Sequence, residues 1–307
     1  VMNHRSNMDY ILVTYLAARD SALSYAVGEW ARVWPLRPLI KMMGGYFIRR
    51  KSLNPLYRRV LARYVQLSTK EGVAQAIFPE GGLSRSGALG DPKLGLISYI
   101  VDGVHADSPR DVVFVPVGLN YDRVLEDRVL VAAAGDRSAR FRFRISHLLR
   151  YVGRHLWQRV TGKFHRLGFA AVAFGKPVSL HDFAARNPEK TTELLGAELM
   201  SRVSAVVPIL PVPLVCRHIH AAGGRIQLDM LEAAFAADVV EFRAAQMEVC
   251  MPDENGDANK ARAVTEALRM LEVRGLITIT GGVLTVSDHA REVIAYYAAS
   301  IGHLKMV

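Results

Sequence analysis

Hydrophobic positions in the first 180 residues alternate between two periods. Apolar side chains recur at helical spacing in 6–18, 54–70 and 93–104, which predicts three helices. Short apolar runs between them predict five strands, at 22–28, 45–49, 74–78, 112–121 and 169–177. This alternation predicts an α/β fold with a central mixed β-sheet flanked by helices.

The pattern changes after residue 216. Three helical patterns follow one another, at 227–237, 238–250 and 258–274. An apolar run at 275–287 with Gly281-Gly282 inside it predicts a hairpin with a tight turn. Helices followed by a hairpin predict a smaller, mainly α, winged-helix-like C-terminal subdomain.

A connection is predicted between the two halves. The apolar run 206–215 contains three prolines, and prolines at that density interrupt regular structure. The sequence therefore divides into a first domain at 1–205, a linker at 206–226 and a C-terminal subdomain at 227–307.

Composition limits the class of protein. The chain has 307 residues, half of them hydrophobic, which is enough for a globular core. Two distant cysteines outside any CxxC pattern argue against a disulfide framework or a zinc site and fit a reducing compartment. No stretch approaches the roughly 20 uninterrupted apolar residues of a membrane span.

The net charge of +10 leaves three classes of partner open: nucleic acid, an anionic membrane surface and anionic substrates. Much of the charge is local, because residues 136–166 carry eight arginines and one lysine against one acid. Apolar and basic positions at 143–160 fall on different helical faces. This pattern is typical of a helix lying in a lipid headgroup layer, or of a packed helix with a solvated cationic face. Acidic side chains predominate in 227–257, which argues against nucleic-acid binding there.

Candidate chemistry begins at the first residues. His4 and Asp9 flank Ser6, a good N-cap for the helix predicted at 6–18, and Asp9 fits the acidic position of a capping box. Within one regular helix the two side chains would lie about 140° apart, so they meet only if the chain curls at Ser6. Alone, the segment favours an ordinary capping box with a solvent-facing histidine. The other interpretation is a proton-transfer pair.

Three further segments change this balance. Gly44–Arg50 reads GGYFIRR, Phe78–Gly87 reads FPEGGLSRSG, and Val113–Tyr121 is an apolar run around Pro116. In this order and spacing, over roughly the first 120 residues, the chain resembles the bacterial membrane-associated glycerol-3-phosphate acyltransferases of the glycerophospholipid acyltransferase superfamily. Together the blocks are specific, although each alone is weak.

The resemblance implies an acyltransferase domain at 1–205 in which His4 is the general base and Asp9 orients its ring. The implied reaction moves a fatty acyl group from acyl-CoA or acyl carrier protein to the sn-1 hydroxyl of glycerol 3-phosphate, giving lysophosphatidate without a metal or other cofactor. The implied location is peripheral, on the cytoplasmic face of the cell membrane, with 143–160 as the contact and with no nucleic-acid partner. The candidate substrate-binding residues are Arg5, Ser6, Arg49, Arg50, Glu80, Gly81, Gly82, Ser84, Arg85, Lys93 and Pro116.

Several roles have alternatives. Arg49 and Arg50 suit a phosphate, since paired donors match its oxygens, but they also fit a surface cation pair. Glu80 is expected to orient Arg85 or to contact the glycerol hydroxyls. Lys93 fits either a phosphate contact or a helix start without a role, whereas Pro116 is expected only to shape the backbone.

Two departures from the family pattern leave other acceptors open. Pro79 and Leu83 stand where close relatives often carry valine and arginine, and Phe-Pro-Glu-Gly is more usual in lysophosphatidate acyltransferases. Lysophosphatidate and dihydroxyacetone phosphate are therefore alternative acceptors. A non-enzymatic membrane- or nucleic-acid-binding protein is the alternative from another class. Because the first block begins near Val1, an additional N-terminal portion is expected in the family.

Overall fold

The computed structural model describes residues 1–18, 22–28, 34, 36–49, 54–104, 110–135, 168–189, 191–251 and 257–304. The helices are α1 (Met8–Ala17), α2 (Leu36–Met42), α3 (Pro55–Lys70), α4 (Gly95–Val101), α5 (Asp127–Gly135), α6 (Leu180–Arg186), α7 (Thr191–Ala205), α8 (Pro211–Ala221), α9 (Leu228–Ala244), α10 (Asp257–Val273) and α11 (Arg291–Ala299), with a 3₁₀ turn at Asp288–Ala290. The strands are β1 (Ser24–Gly28), β2 (Gly45–Ile48), β3 (Gln75–Ala76), β4 (Val113–Phe114), β5 (Val117–Tyr121), β6 (Ala170–Phe174), β7 (Val178–Ser179), β8 (Arg225–Gln227), β9 (Ile277–Thr280) and β10 (Val283–Val286). The predicted α/β character is confirmed.

Parallel pairing organises the first sheet. Its strand order is β2–β1–β3, and both pairs are parallel. Parallel neighbours need a crossover, which α2 and α3 supply. Helix α3 begins at the predicted place, because the Asn54 side chain accepts from the N–H groups of Leu56 and Tyr57, and Pro55 takes the first helical position. The carboxyl ends of the three strands lie at one edge of the sheet.

Residues 1–3 link this sheet to another strand pair. The Met2 N–H donates to the Ile77 carbonyl at 3.0 Å. Met2 also forms a parallel bridge with Val117 of β5, and β5 pairs antiparallel with β6. His4 therefore follows a strand-like segment and leaves the sheet at its carboxyl end.

Pro116 divides the strand predicted at 112–121. Strand β4 pairs with β7, whereas β5 pairs with β6, so the chain changes partners at the proline. Proline has no N–H to donate, which explains the interruption. A proline inside a strand pattern predicts an edge or bulged element; β5 is not an edge, because residues 1–3 pair with it on the side opposite β6.

The largest hydrophobic core lies in the C-terminal half. Helices α8, α9, α10 and α11 surround it and contribute buried side chains such as Leu214, Phe235, Leu271 and Ile294. The segment between β5 and α5 packs into the same core through Tyr121, Val124, Leu130 and Val131. The two halves thus share one core.

The proline-rich run 206–215 is not a connection throughout. Two of its prolines lie in the first turn of α8, where backbone N–H groups have no intrahelical partner and a proline costs no hydrogen bond. The Asp122 carboxylate accepts from the Val212 N–H at 2.9 Å and caps this turn. The segment 206–226, predicted as a linker, therefore carries a buried core helix. The remaining division into domains stays a prediction.

The break predicted between residues 237 and 238 is also wrong, because α9 runs through it as one helix. Its buried apolar side chains follow one another at three or four residues: Leu231, Phe235, Val239 and Phe242. Asp238 interrupts that pattern in the sequence, but its carboxylate lies 3.2 Å from the Nε2 of partly buried His218 on α8. An acid with a partner on the core face does not end a helix.

The predicted hairpin is confirmed. Strands β9 and β10 pair antiparallel, and the turn residues Gly281 and Gly282 have φ angles of 57° and 78°. Glycine adopts this left-handed region without the strain that a Cβ brings. Strand β8, which the sequence pattern did not predict, pairs with the other side of β10.

The predicted basic amphipathic segment 143–160 lies outside the described residues. Cys216 is buried and Cys250 is partly buried, and neither forms a disulfide within the described residues. Among the helices within the described ranges, none combines the length and the apolar character needed to cross a bilayer.

Candidate active site

His4 and Asp9 form a buried pair at the start of α1. The Nδ1 of His4 lies 2.8 Å from Oδ2 of Asp9, and both side chains are almost completely buried. The chain curls at Ser6, where the Asp9 N–H donates to the Ser6 carbonyl and the Met8 N–H donates to the Ser6 hydroxyl. The five-residue separation is thereby closed by the turn at Ser6, although Asn7 and not Ser6 is the N-cap of α1, and the histidine does not face solvent.

Asp9 is held by donors from three directions. Its Oδ2 also accepts the N–H groups of Arg5 at 2.7 Å and Ser6 at 3.1 Å, and its Oδ1 accepts the Tyr121 hydroxyl at 2.6 Å. Burial, with the Asp9 charge beside it, raises the pKa of Tyr121, so this hydroxyl stays a donor. A carboxylate that accepts at Nδ1 fixes the proton there and leaves Nε2 of His4 with its lone pair.

The other ring nitrogen of His4 lies beside aromatic side chains. Nε2 is 3.4 Å from the Tyr10 hydroxyl, and the imidazole packs against the Phe78 ring with centroids 4.2 Å apart. An imidazole in this tautomer, in apolar surroundings, is suited to accept a proton from a hydroxyl group.

The loop after β3 is built around the buried carboxylate of Glu80. Its Oε1 accepts the His4 N–H at 2.9 Å and its Oε2 accepts the Gly90 N–H at 3.0 Å. Burial raises the pKa of Glu80, while these two N–H groups and the charges of Arg5 and His4 oppose the shift. Both oxygens accept backbone N–H groups of the protein, and a further contact of Glu80 with Arg85 or with the glycerol hydroxyls stays a prediction. It fixes the backbone of His4 to the loop.

Gly81, Gly82, Ser84 and Lys93 belong to this loop. Gly81 has a φ of 66°, and the aliphatic stem of Lys93 lies so close that a Cβ on Gly81 would be 2.7 Å from its Cδ. The Ser84 N–H donates to the His4 carbonyl at 3.0 Å, and its hydroxyl donates to the Ala88 carbonyl. The structure therefore brings Lys93, Gly81 and Ser84 together next to His4, with Gly82 between them in the turn.

Arg5 points away from this loop surface into the protein. Its guanidinium donates to the carbonyls of Gly87 and of Ser300, just beyond α11. Burial lowers the pKa of Arg5, and the charges of Tyr296, Glu80 and Asp9 oppose that shift. A Cβ on Gly87, which has a φ of 85°, would lie 1.9 Å from the Tyr296 carbonyl oxygen. Arg5, predicted as a substrate contact, instead joins the loop to the C-terminal helix.

The remaining predicted residues are spread more widely. Arg85 is exposed and donates to the Ala133 carbonyl on α5 at 3.1 Å. Arg49 is exposed at the end of β2, where its backbone N–H donates to the Tyr57 hydroxyl. Arg50 lies outside the described residues. Pro116 is buried in the sheet, and its carbonyl accepts the Gly175 N–H.

Three side chains that contact the segment from His4 to Asp9 were not predicted from the sequence. Tyr10 faces Nε2 of His4, and Tyr121 bonds Asp9. Glu126 accepts from the Ser6 hydroxyl at 2.8 Å and from the N–H and side-chain amide of Asn7. Of the three, only Tyr10 lies near His4 in the sequence, so only Tyr10 could have been found from a local pattern. Tyr121 and Glu126 are more than 110 residues away in sequence, so no local pattern indicates them.

We expect Glu80→Ala to lower the free energy of unfolding by about 1–3 kcal/mol, because it leaves the buried N–H of His4 and the N–H of Gly90 without their acceptor. Glu80→Gln keeps one carbonyl oxygen and should lose less. Urea unfolding measures both variants. Exposed Glu71→Ala is the control, with an expected change within about 0.5 kcal/mol. If Glu80→Ala were as stable as this control, the carboxylate would not hold the loop.

Comparison with known proteins covers most of the chain. The acyltransferase family model matches residues 1–120, and the model of the glycerol-3-phosphate acyltransferase C-terminal region matches residues 157–306. Similar curated proteins carry the name glycerol-3-phosphate acyltransferase. The one from Shewanella amazonensis is 29% identical over 242 residues, which is 77% of this chain and 27% of that protein. The one from Aeromonas hydrophila is 31% identical over 64% of this chain and 23% of that protein. The one from Shewanella loihica is 25% identical over 99% of this chain and 39% of that protein.

The chain spans about a quarter to two fifths of the length of these relatives. Within that span, the acyltransferase match includes His4, Asp9, Glu80 and the loop to Lys93, and the C-terminal match includes α11, which packs on that loop. The chain belongs to the glycerol-3-phosphate acyltransferase family.

Proposed function

We propose that this chain transfers a fatty acyl group from a thioester donor, acyl-CoA or acyl carrier protein, to the sn-1 hydroxyl of glycerol 3-phosphate. The product is lysophosphatidate, at the start of phospholipid synthesis. The His4–Asp9 pair carries the proposal, because a buried imidazole with its Nδ1 proton held by a carboxylate is arranged to accept a hydroxyl proton at Nε2. The names of the relatives support the same acceptor.

The proposed reaction is direct. Nε2 of His4 takes the proton of the sn-1 hydroxyl as that oxygen bonds to the thioester carbonyl carbon. The carbon–sulfur bond then breaks, and the departing sulfur takes the proton back from His4. Asp9 stabilises the imidazolium formed between these steps. Thiolate is a good leaving group, so no acyl-enzyme, metal or redox cofactor is required.

Positive charge around the loop is the proposed binding site for the anionic substrates. Exposed Arg85 and Arg49 and the Lys93 side chain over Gly81 are the described candidates for phosphate contacts, and Arg50 is added from the sequence alone. Guanidinium groups suit phosphate oxygens because they offer paired donors. Ser6, Gly81, Gly82 and Ser84 shape the backbone around these cations. Glu80 and Arg5 are proposed as positioning residues, since their polar atoms bond the protein itself.

The C-terminal half is proposed to be a winged-helix-like packing module. Helix α8, strand β8, helices α9 and α10 and the β9–β10 hairpin follow one another in the order of a winged helix. The acidic composition of 227–257 and the core shared with β5 and α5 support a packing role over nucleic-acid binding.

Peripheral attachment to the cytoplasmic membrane face is proposed because the acyl product partitions into lipid. Besides the basic segment 143–160, helix α3 supports this proposal. Its solvent face carries an apolar stripe with exposures from 42% to 69%: Leu56, Val60, Tyr64 and Leu67. Arg59, Arg63 and Lys70 lie beside the stripe, and α3 has no acidic residue. An apolar stripe with cationic flanks matches an anionic lipid surface.

We expect His4→Ala to abolish thiol release from acyl-CoA in the presence of glycerol 3-phosphate, with the circular dichroism spectrum unchanged. The base is lost, and general base catalysis is worth about 10²–10⁴-fold. Thiol detection with and without acceptor measures this, and lysophosphatidate and dihydroxyacetone phosphate complete the acceptor panel. A fully active His4→Ala chain would refute the mechanism. Salt-sensitive DNA binding without thiol release would favour a nucleic-acid-binding protein.

We expect Arg85→Ala to raise the KM for glycerol 3-phosphate about tenfold with little change in kcat, because one charge-assisted hydrogen bond is worth roughly 1.5–3 kcal/mol. Steady-state kinetics with saturating acyl-CoA measure the effect. Arg291→Ala, an exposed arginine at the start of α11, is the matched control. An unchanged KM in Arg85→Ala would remove only this assignment.

We expect the double variant Leu56→Ser/Val60→Ser to co-sediment several-fold less with phosphatidylglycerol-containing vesicles than the unaltered chain. Binding of the unaltered chain should weaken as salt screens the cationic flanks. Val240→Ser/Val273→Ser, which changes two similarly exposed apolar residues elsewhere, is the control. Equal losses in the two double variants would exclude α3 as the lipid contact.

A further inference from the structure

Three carboxylates accept hydrogen bonds from the segment from His4 to Asp9, and Glu126 is the most exposed of them. It accepts from the Ser6 hydroxyl and from the N–H and side-chain amide of Asn7, at 2.8, 3.2 and 2.9 Å. These donors lie at the N-terminus of α1, between His4 and Asp9 in sequence. Ser6 gives its N–H to Asp9 and its hydroxyl to Glu126. A shift of Glu126 would therefore move the same turn that closes the His4–Asp9 pair.

The segment that carries Glu126 is fixed from the C-terminal half. Asp127, the next residue, is 3% exposed and accepts the Tyr297 hydroxyl at 2.6 Å and the Arg274 guanidinium. The same Tyr297 hydroxyl accepts the Val124 N–H at 3.0 Å. The Tyr297 hydroxyl thus forms hydrogen bonds on both sides of Glu126, to Val124 and to Asp127.

The segment from Tyr121 to Glu126 also contacts Asp9 through its first residue. Tyr121, the last residue of β5, donates to Asp9, and the five residues that follow lead to Glu126. Arg274, just beyond α10, and Tyr297 on α11 therefore fix a segment whose two ends both contact the turn from His4 to Asp9. A direct path of hydrogen bonds runs from Tyr297 to Asp127, along one peptide to Glu126, and from there to Ser6 and Asp9.

We propose that Glu126 is a positioning residue for the His4–Asp9 pair, and that Tyr297 and Arg274 hold it in place through Asp127. The C-terminal half then contributes to catalytic geometry as well as to packing. This inference rests on the proposed function for its kinetic part only, because the order of the turn at residues 5–7 is measurable without turnover.

The test compares four variants of the full chain. Glu126→Gln removes the charge at α1, Tyr297→Phe removes the hydroxyl that holds Val124 and Asp127, and the third variant combines the two. Val239→Ala is the control, because it reduces the packing of the same C-terminal core from α9 and removes none of the hydrogen bonds that hold this segment. For each variant, kcat and both KM values are measured, together with hydrogen–deuterium exchange of peptides covering residues 1–12 and the melting temperature.

Glu126→Gln and Tyr297→Phe should each lower kcat by between about tenfold and a hundredfold, the effect of a small misplacement of catalytic groups, with KM values within about twofold. The combined variant should be no slower than the slower single variant, because both act through one path. Exchange at residues 5–7 should rise in all three. Val239→Ala should keep its kcat and its protection at residues 5–7 despite a lowered melting temperature.

Two results would overturn the proposal. One is a kcat for Tyr297→Phe equal to that of Val239→Ala, and the other is unchanged protection at residues 5–7 in Glu126→Gln and Tyr297→Phe. If the unaltered chain shows no acyl transfer, the proposed function fails, and the exchange data alone decide whether Tyr297 and Glu126 order the block.

Discussion

Four consecutive backbone N–H groups, at residues 4–7, each donate to a carboxylate, and the rest of the site depends on this arrangement. Glu80 accepts from residue 4, Asp9 from residues 5 and 6, and Glu126 from residue 7. Buried carboxylates are costly unless hydrogen bonds and opposite charge compensate them. Here backbone donors and the buried Arg5 supply that compensation, so the turn can adopt few other conformations. The imidazole of His4 is placed by this turn before any substrate arrives.

The topology explains why the three carboxylates meet. Residues 1–3 run beside β5, and the loop with Glu80 follows β3, so three chain segments emerge at the same carboxyl edge of the sheet. Ligand sites of open α/β sheets lie at such edges, because loops from several strands converge there. The C-terminal half packs against these segments, where Arg5 and Gly87 contact α11 and the residue that follows it.

Local signals in the sequence were sufficient for part of this structure. The Ser6 curl, the α3 cap and the Gly281-Gly282 turn follow from side-chain chemistry within a few residues, and each has the expected form. Helix α8 was missed because prolines in a first turn look the same in sequence as prolines in a loop. The acceptors for residues 4 and 7 were missed because Glu80 and Glu126 are 76 and 119 residues away. Only the folded sheet brings them to the block.

Arg5 and Arg85, which both lie inside motif blocks, differ in their surroundings. Arg5 lies next to the buried carboxylates of Asp9 and Glu80, and its guanidinium offsets their charge while donating to the carbonyls of Gly87 and Ser300. Arg85 lies on the exposed side of the same loop, beyond Ser84, where its charge faces solvent. One cation thus stabilises the interior of the site and the other remains accessible to an anionic substrate. Since both lie inside motif blocks, the sequence could not distinguish them, whereas burial does.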